Sequence, residues 1–104
     1  MKEIEIFKTL INQKLYYEAH EALEELWFPI RKTKTDYCLV LKGFINAAVS
    51  LELYKRNKCD QSKKIYLVYK KYVTRCRMAK IHNSNHYIKL QQFIDNKFKD
   101  IKYY

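Results

Sequence analysis

Residues 37–53 read Tyr37-Cys38-Leu39-Val40-Leu41-Lys42-Gly43-Phe44-Ile45-Asn46-Ala47-Ala48-Val49-Ser50-Leu51-Glu52-Leu53, and this stretch decides the fold. Its apolar positions are nearly continuous. Lys42, Asn46 and Ser50 fall at i, i+4 and i+8, which is one narrow polar stripe on a helix. A helix that is apolar almost all round belongs in the middle of a bundle. The spacing predicts this helix over about residues 37–55, with Asp36 as its N-cap because a short acidic side chain accepts from the exposed amides.

Helical periodicity continues on both sides. Upstream, Ile4, Phe7, Leu10 and Ile11 recur at helical spacing and predict a first helix from about Glu3 to Asn12. A second is expected from about Leu15 to Phe28, where Pro29 removes a donor and ends or kinks it. Arg31 to Thr35 reads as a polar loop. Downstream, Asp60 and Ser62 offer caps for a fourth helix reaching about Lys80. Ile65, Val68, Tyr69, Tyr72, Cys76 and Ala79 are expected on its buried face, and Lys63, Lys64, Lys70, Lys71, Arg75 and Arg77 on the other. After a connector at residues 81–85, capped by Asn83 or Ser84, a fifth amphipathic helix carries Tyr87, Leu90, Phe93, Ile94, Phe98 and Ile101. The expected fold is an all-α bundle of about five helices, a single domain over 1–104 with the third helix central and buried.

Composition agrees and narrows the class. The 104 residues include one Gly and one Pro, which argues against a turn-rich β sandwich or barrel, and the 48% hydrophobic content argues against disorder. Residues 1–15 carry Lys2, Glu3, Glu5 and Lys8 and do not read as a signal peptide. The apolar stretch is interrupted by Lys42, Asn46, Ser50 and Glu52, so no membrane span is expected. Cys38, Cys59 and Cys76 form no C-x-x-C pair, and three reduced thiols in a cytoplasmic protein is the reading taken. Charge is uneven. Residues 1–52 carry 7 Lys and Arg against 8 Asp and Glu, and residues 53–104 carry 14 against 3. That asymmetry raises nucleic-acid binding as a question.

The most informative chemistry lies in residues 16–27, Tyr16-Tyr17-Glu18-Ala19-His20-Glu21-Ala22-Leu23-Glu24-Glu25-Leu26-Trp27. On a helical wheel, Tyr16, Ala19, His20, Leu23, Leu26 and Trp27 share one side. Glu24 lies at its rim and Glu21 further round, between Tyr17 and Phe28. Carboxylates on a mostly buried surface must be paired or hydrogen-bonded, or they cost several kcal/mol. Candidate pocket residues are therefore His20, Glu21, Glu24 and Trp27.

Tyr16 to Trp27, with Gly43 and Ala48 following, resembles the small all-helical domain of unknown function family 309 and its pattern Tyr-x-x-Ala-His-Glu-x-Leu-Glu-x-x-Trp. The resemblance covers about residues 10–58. It implies a compact helical bacterial or archaeal domain and brings no reaction with it. The family tends to carry Gly where Lys14 stands, which implies a left-handed backbone there. It often has His where Glu52 aligns, and the resemblance thereby adds Glu52 to the candidate pocket residues. The basic second half lies outside the resemblance.

His20-Glu21-x-x-Glu24 invites comparison with the H-E-x-x-H zinc helix, with Glu24 in place of the second His. A divalent metal on His20 and Glu24, with Glu21 as base, would make the chain a metal-dependent hydrolase. His82 and His86 have ligand spacing too, but sit in a polar connector and read as a solvated pair. No G-x-S-x-G elbow or phosphate-cradling loop is present. Lys63, Lys70, Lys71 and Arg75 are the candidate phosphate contacts of a third reading, a basic nucleic-acid accessory protein. The leading expectation is a non-enzymatic module, free of cofactor, that binds a small molecule or protein partner in a polar pocket lined by the motif helix; the sequence leaves its oligomeric state open, a homodimer being the assembly considered.

Overall fold

The computed structural model describes residues 2–103. Five helices follow in order: α1 (Lys2–Asn12), α2 (Tyr16–Trp27), α3 (Asp36–Lys55), α4 (Cys59–Arg75) and α5 (Ser84–Asp100). Single 3-10 turns at Phe28–Ile30 and Met78–Lys80 follow α2 and α4, and no strand occurs among the described residues. Pro29 ends α2 as expected, by tightening the chain into the first of these turns. The radius of gyration is 12.6 Å, close to the ~13 Å of a compact chain of about 100 residues.

The central position of α3 is a consequence of its sequence. Val40, Leu41, Phe44, Ile45, Ala47, Ala48 and Leu51 are all buried, and α3 packs against α2 on one side and α4 on another. By length and apolar content alone, α3 also passes as a membrane span, but most of that window is buried inside the bundle, as in a core helix. An aromatic series runs through the core, from Phe7 to Phe44 at 6.4 Å between ring centroids, then to Tyr69 at 6.0 Å and Phe98 at 5.5 Å. Burial of Tyr69 strands a hydroxyl, which donates to Asp95 Oδ1 at 2.7 Å. Burial and that carboxylate together push the phenol pKa well above its usual range.

The α3–α4 contact depends on small residues. A Cβ on Gly43 would stand 3.2 Å from Tyr72 Cβ and 3.3 Å from Val73 Cγ1, so the two backbones approach as closely as they do only because Gly43 has none. Two turns further along, Ser50 and Ser62 are both fully buried. Each hydroxyl donates to the other's main-chain carbonyl at 2.7 Å.

That pair corrects two expectations. Ser62 is no cap, since α4 already begins at Cys59 and Ser62 faces inward. With Ser62 inside, the buried face of α4 becomes Ser62, Tyr66, Tyr69, Val73 and Cys76, one position round from the expected face; Ile65, Val68 and Tyr72 are half-buried and Ala79 is exposed. The polar stripe of α3 is packed as well. Ser50 is buried, Asn46 Nδ2 donates to the Lys42 carbonyl at 2.8 Å, and the Lys42 ammonium lies 4.3 Å from the Trp27 ring centroid.

The ends of the helices also differ in detail. Thr35, not Asp36, caps α3, its Oγ1 accepting from Cys38 N at 3.2 Å. Asp36 instead clamps the far end of α4. Its carboxylate accepts from Arg77 N at 3.1 Å and Nε at 3.3 Å, and its carbonyl accepts from Cys76 Sγ at 3.3 Å. Cys76 leaves helical geometry at ψ 131°, so α4 stops at Arg75, short of the expected Lys80. Lys14 takes the left-handed backbone expected of it, with φ 60°. Its N–H donates to Ile11 O and that of Leu15 to Leu10 O, the paired bonds of a Schellman ending. Asn57 after α3 (φ 63°) and Lys102 after α5 (φ 64°) repeat the arrangement.

Candidate functional site

The motif helix and the central helix enclose a pocket. His20 is placed on the α3 side of α2 because Ala19 and Leu23, its buried neighbours, fix the rotation of that helix. Tyr16 and Tyr17 project from the turn before it. Val49, Glu52, Leu53 and Arg56 come from the α2-facing side of α3. Together these seven residues line a half-open pocket of about 220 Å³. Its wall is mostly apolar rather than polar, with His20 and the Glu52–Arg56 pair as its polar features.

The polar groups at the pocket are tied to one another. His20 Nε2 stands 3.0 Å from Glu24 Oε2, one turn on. The other ring nitrogen, Nδ1, is buried without a hydrogen-bond partner, a desolvation cost that a well-satisfied core side chain would not carry. Glu52 is held by Arg56 Nε at 2.6 Å, again one helical turn away. Burial, and the Glu52 carboxylate nearby, raise the Tyr16 phenol pKa. Lys55 Nζ donates to the Lys14 carbonyl at 2.9 Å, fastening the end of α3 to the turn that starts the motif helix.

The structure brings together two of the five candidate pocket residues, His20 and Glu52. Glu24 reaches His20 but lies in a separate depression with Glu21, Glu25, Phe28 and Pro29. Glu21 is exposed. Trp27 is half-buried beneath Lys42, about two turns beyond the pocket. Tyr16, Tyr17, Val49, Leu53 and Arg56 complete the lining; the two tyrosines belong to the motif and Arg56 stands at i+4 from Glu52, whereas Val49 and Leu53 carried no sequence signal. His20 and Glu24 supply two donors, and no group of three or more His, Cys, Asp or Glu gathers to hold a metal among the described residues. A catalytic zinc takes three protein ligands. His82 and His86 are both exposed.

The second candidate surface is the outer face of α4. Lys63, Lys64, Lys71 and Arg75 are exposed and Lys70 is half-buried. The Lys63 ammonium lies 5.9 Å from the Tyr103 ring centroid. Leu67, at the centre of this face, is 64% exposed.

Residues 4–65 match a family model described as Domain of unknown function (DUF309), which is more than half of the chain and takes in α1, α2, α3 and the start of α4. No curated protein and no solved structure matches it significantly.

Proposed function

We propose, for a chain that belongs to the DUF309 family of domains of unknown function, a role as a non-enzymatic binding module whose α2–α3 pocket receives one side chain of a protein partner. One observation carries the reading: His20 and Glu52 converge on a single half-open pocket of about 220 Å³. Small-molecule and cofactor sites run from roughly 300 to 1,000 Å³, so this volume suits an inserted side chain. The apolar wall of Val49 and Leu53 favours an aliphatic or aromatic group, and His20 and Glu52 orient a polar end. Both are already engaged by Glu24 and Arg56, which suits recognition better than proton transfer. The three unpaired thiols support a cytoplasmic setting.

The test is a nuclear magnetic resonance titration with N-acetyl-tyrosinamide and N-acetyl-leucinamide as side-chain probes. Amide shifts are expected at residues 16–20 and 49–56, and Val49→Trp, which fills the pocket, is expected to abolish them. Shifts scattered over the surface, or unchanged by Val49→Trp, overturn the proposal.

A further inference from the structure

We propose that copies of this chain associate head to tail, Leu67 on α4 of one copy entering the glutamate-rimmed groove between α1 and α2 of the next. The groove has a volume of about 510 Å³ and is lined by Glu3, Ile6, Glu18, Glu21, Ala22, Glu25 and Leu26. Its floor is apolar and incompletely covered, for Ile6 is 43% exposed. Glu18, Glu21 and Glu25 fall at i, i+3 and i+7 and make one acidic edge along α2. Glu3 stands on α1 opposite.

The outer face of α4 is its complement. Leu67 is the most exposed large apolar side chain of the described residues at 64%. Lys64 and Lys63 lie three and four residues before it, and Lys70 and Lys71 three and four after, so on a helix all four surround it. An apolar knob ringed by cations thus faces outward on one element, and an apolar hole ringed by carboxylates on two others.

Among the described residues, neither face neutralises its charge internally. The ion pairs among the described residues are His20–Glu24, Arg56–Glu52 and Arg77–Asp36. None uses the groove glutamates or the lysines around Leu67. Bringing the faces together pairs like numbers of opposite charges and removes Leu67 and Ile6 from water, which steers encounter and fixes register. Knob and hole are different surfaces, so the contact is heterologous and builds rings or open chains rather than a closed twofold dimer. It is separate from the His20–Glu52 pocket and does not rest on the function proposed for it.

Sedimentation velocity at low salt tests this with two variants. The knob variant carries Leu67→Ser, Lys64→Gln and Lys71→Gln. The groove variant carries Glu18→Gln, Glu21→Gln and Glu25→Gln. All are surface changes, and far-UV circular dichroism confirms that each folds. The wild-type mean mass should rise with concentration past that of a dimer, and association should weaken by about tenfold or more at high salt. Each variant alone should remain monomeric. Mixed together they should form a discrete one-to-one pair, because one keeps the groove and the other the knob. A wild-type chain that stays monomeric at low salt, variants that fail to pair on mixing, or a basic face that instead binds duplex nucleic acid without self-association would each overturn the proposal.

Discussion

Ser50 and Ser62 exchange hydrogen bonds across the α3–α4 contact, each hydroxyl donating to the other's main-chain carbonyl at 2.7 Å with both side chains fully buried. The two residues serve as each other's solvent. The two hydroxyls also lie 3.2 Å apart; replacing either by Ala removes its own bond and that contact, so the remaining buried hydroxyl keeps only the opposite carbonyl, and an imperfectly satisfied buried group costs about 1–3 kcal/mol. Ser50→Ala and Ser62→Ala should each destabilise by about 1–2 kcal/mol. The double variant should cost less than the sum, because the contact between the two hydroxyls can be lost only once. Urea unfolding of the three variants measures the coupling.

Lys14 should tolerate, and even favour, glycine. A left-handed L-residue bears about 1 kcal/mol of strain from its Cβ, and Lys14 has φ 60°. Its functional contact is main-chain, the carbonyl that accepts from Lys55 Nζ. Lys14→Gly is therefore expected to be neutral or stabilising by up to about 1 kcal/mol, after allowing for the greater unfolded-state freedom of Gly. Lys71→Gly, in the exposed interior of α4, should instead destabilise by about 1 kcal/mol. A denaturant melt of both variants separates the cases.

The three thiols should differ in reactivity. Cys59 is exposed, whereas Cys38 and Cys76 are buried. Burial foremost, and then the Asp36 carboxylate, push the Cys76 thiol up to about 11, so almost none of it is thiolate at pH 8. Titration with Ellman's reagent is expected to register one thiol in the native protein and three in denaturant.

Acid should loosen the junction between α3 and the end of α4. The main-chain N–H of Arg77, followed by its guanidinium, holds the Asp36 carboxyl below its usual range. A carboxylate with a depressed folded-state pKa contributes stability that is present above the unfolded value, about 4, and is lost as pH falls through the folded one. Asp36→Asn should flatten the acid side of a plot of melting temperature against pH and lower stability slightly at neutral pH. Thermal melts from pH 2 to pH 7 provide the check.

Much of the architecture is legible in residues 37–53, because a helix with so little polar surface has one place to go. The rotation of α4 was not. Periodicity weighs Ile65, Val68 and Tyr72 as core and Ser62 as a cap. The structure turns the helix by one position because the absence of a Cβ at Gly43 admits α4 closely enough for Ser50 and Ser62 to meet, a pairing between residues on different helices that no local window registers. The site divides in the same way. The His20–Glu24 contact follows from i, i+4 spacing within one helix, and Glu52 from its place in the resemblance. That Val49, Leu53 and Arg56 share a pocket with them depends on which side of α3 meets α2, and an almost uniformly apolar helix leaves that side unmarked.

The position of Trp27 gives the molecule two independent optical reporters. It is the one tryptophan of the chain and sits on α2 under Lys42 of α3, so its emission follows separation of those two helices. Tyr66, Tyr69 and Tyr103 cluster with Phe98 at the α4–α5 junction, Tyr66 and Phe98 only 4.6 Å apart between centroids. Near-ultraviolet dichroism of those rings follows the release of α5. Overlaying the two signals during unfolding shows whether the family-matched part of the chain and the helix that covers its end come apart as one cooperative unit or in sequence.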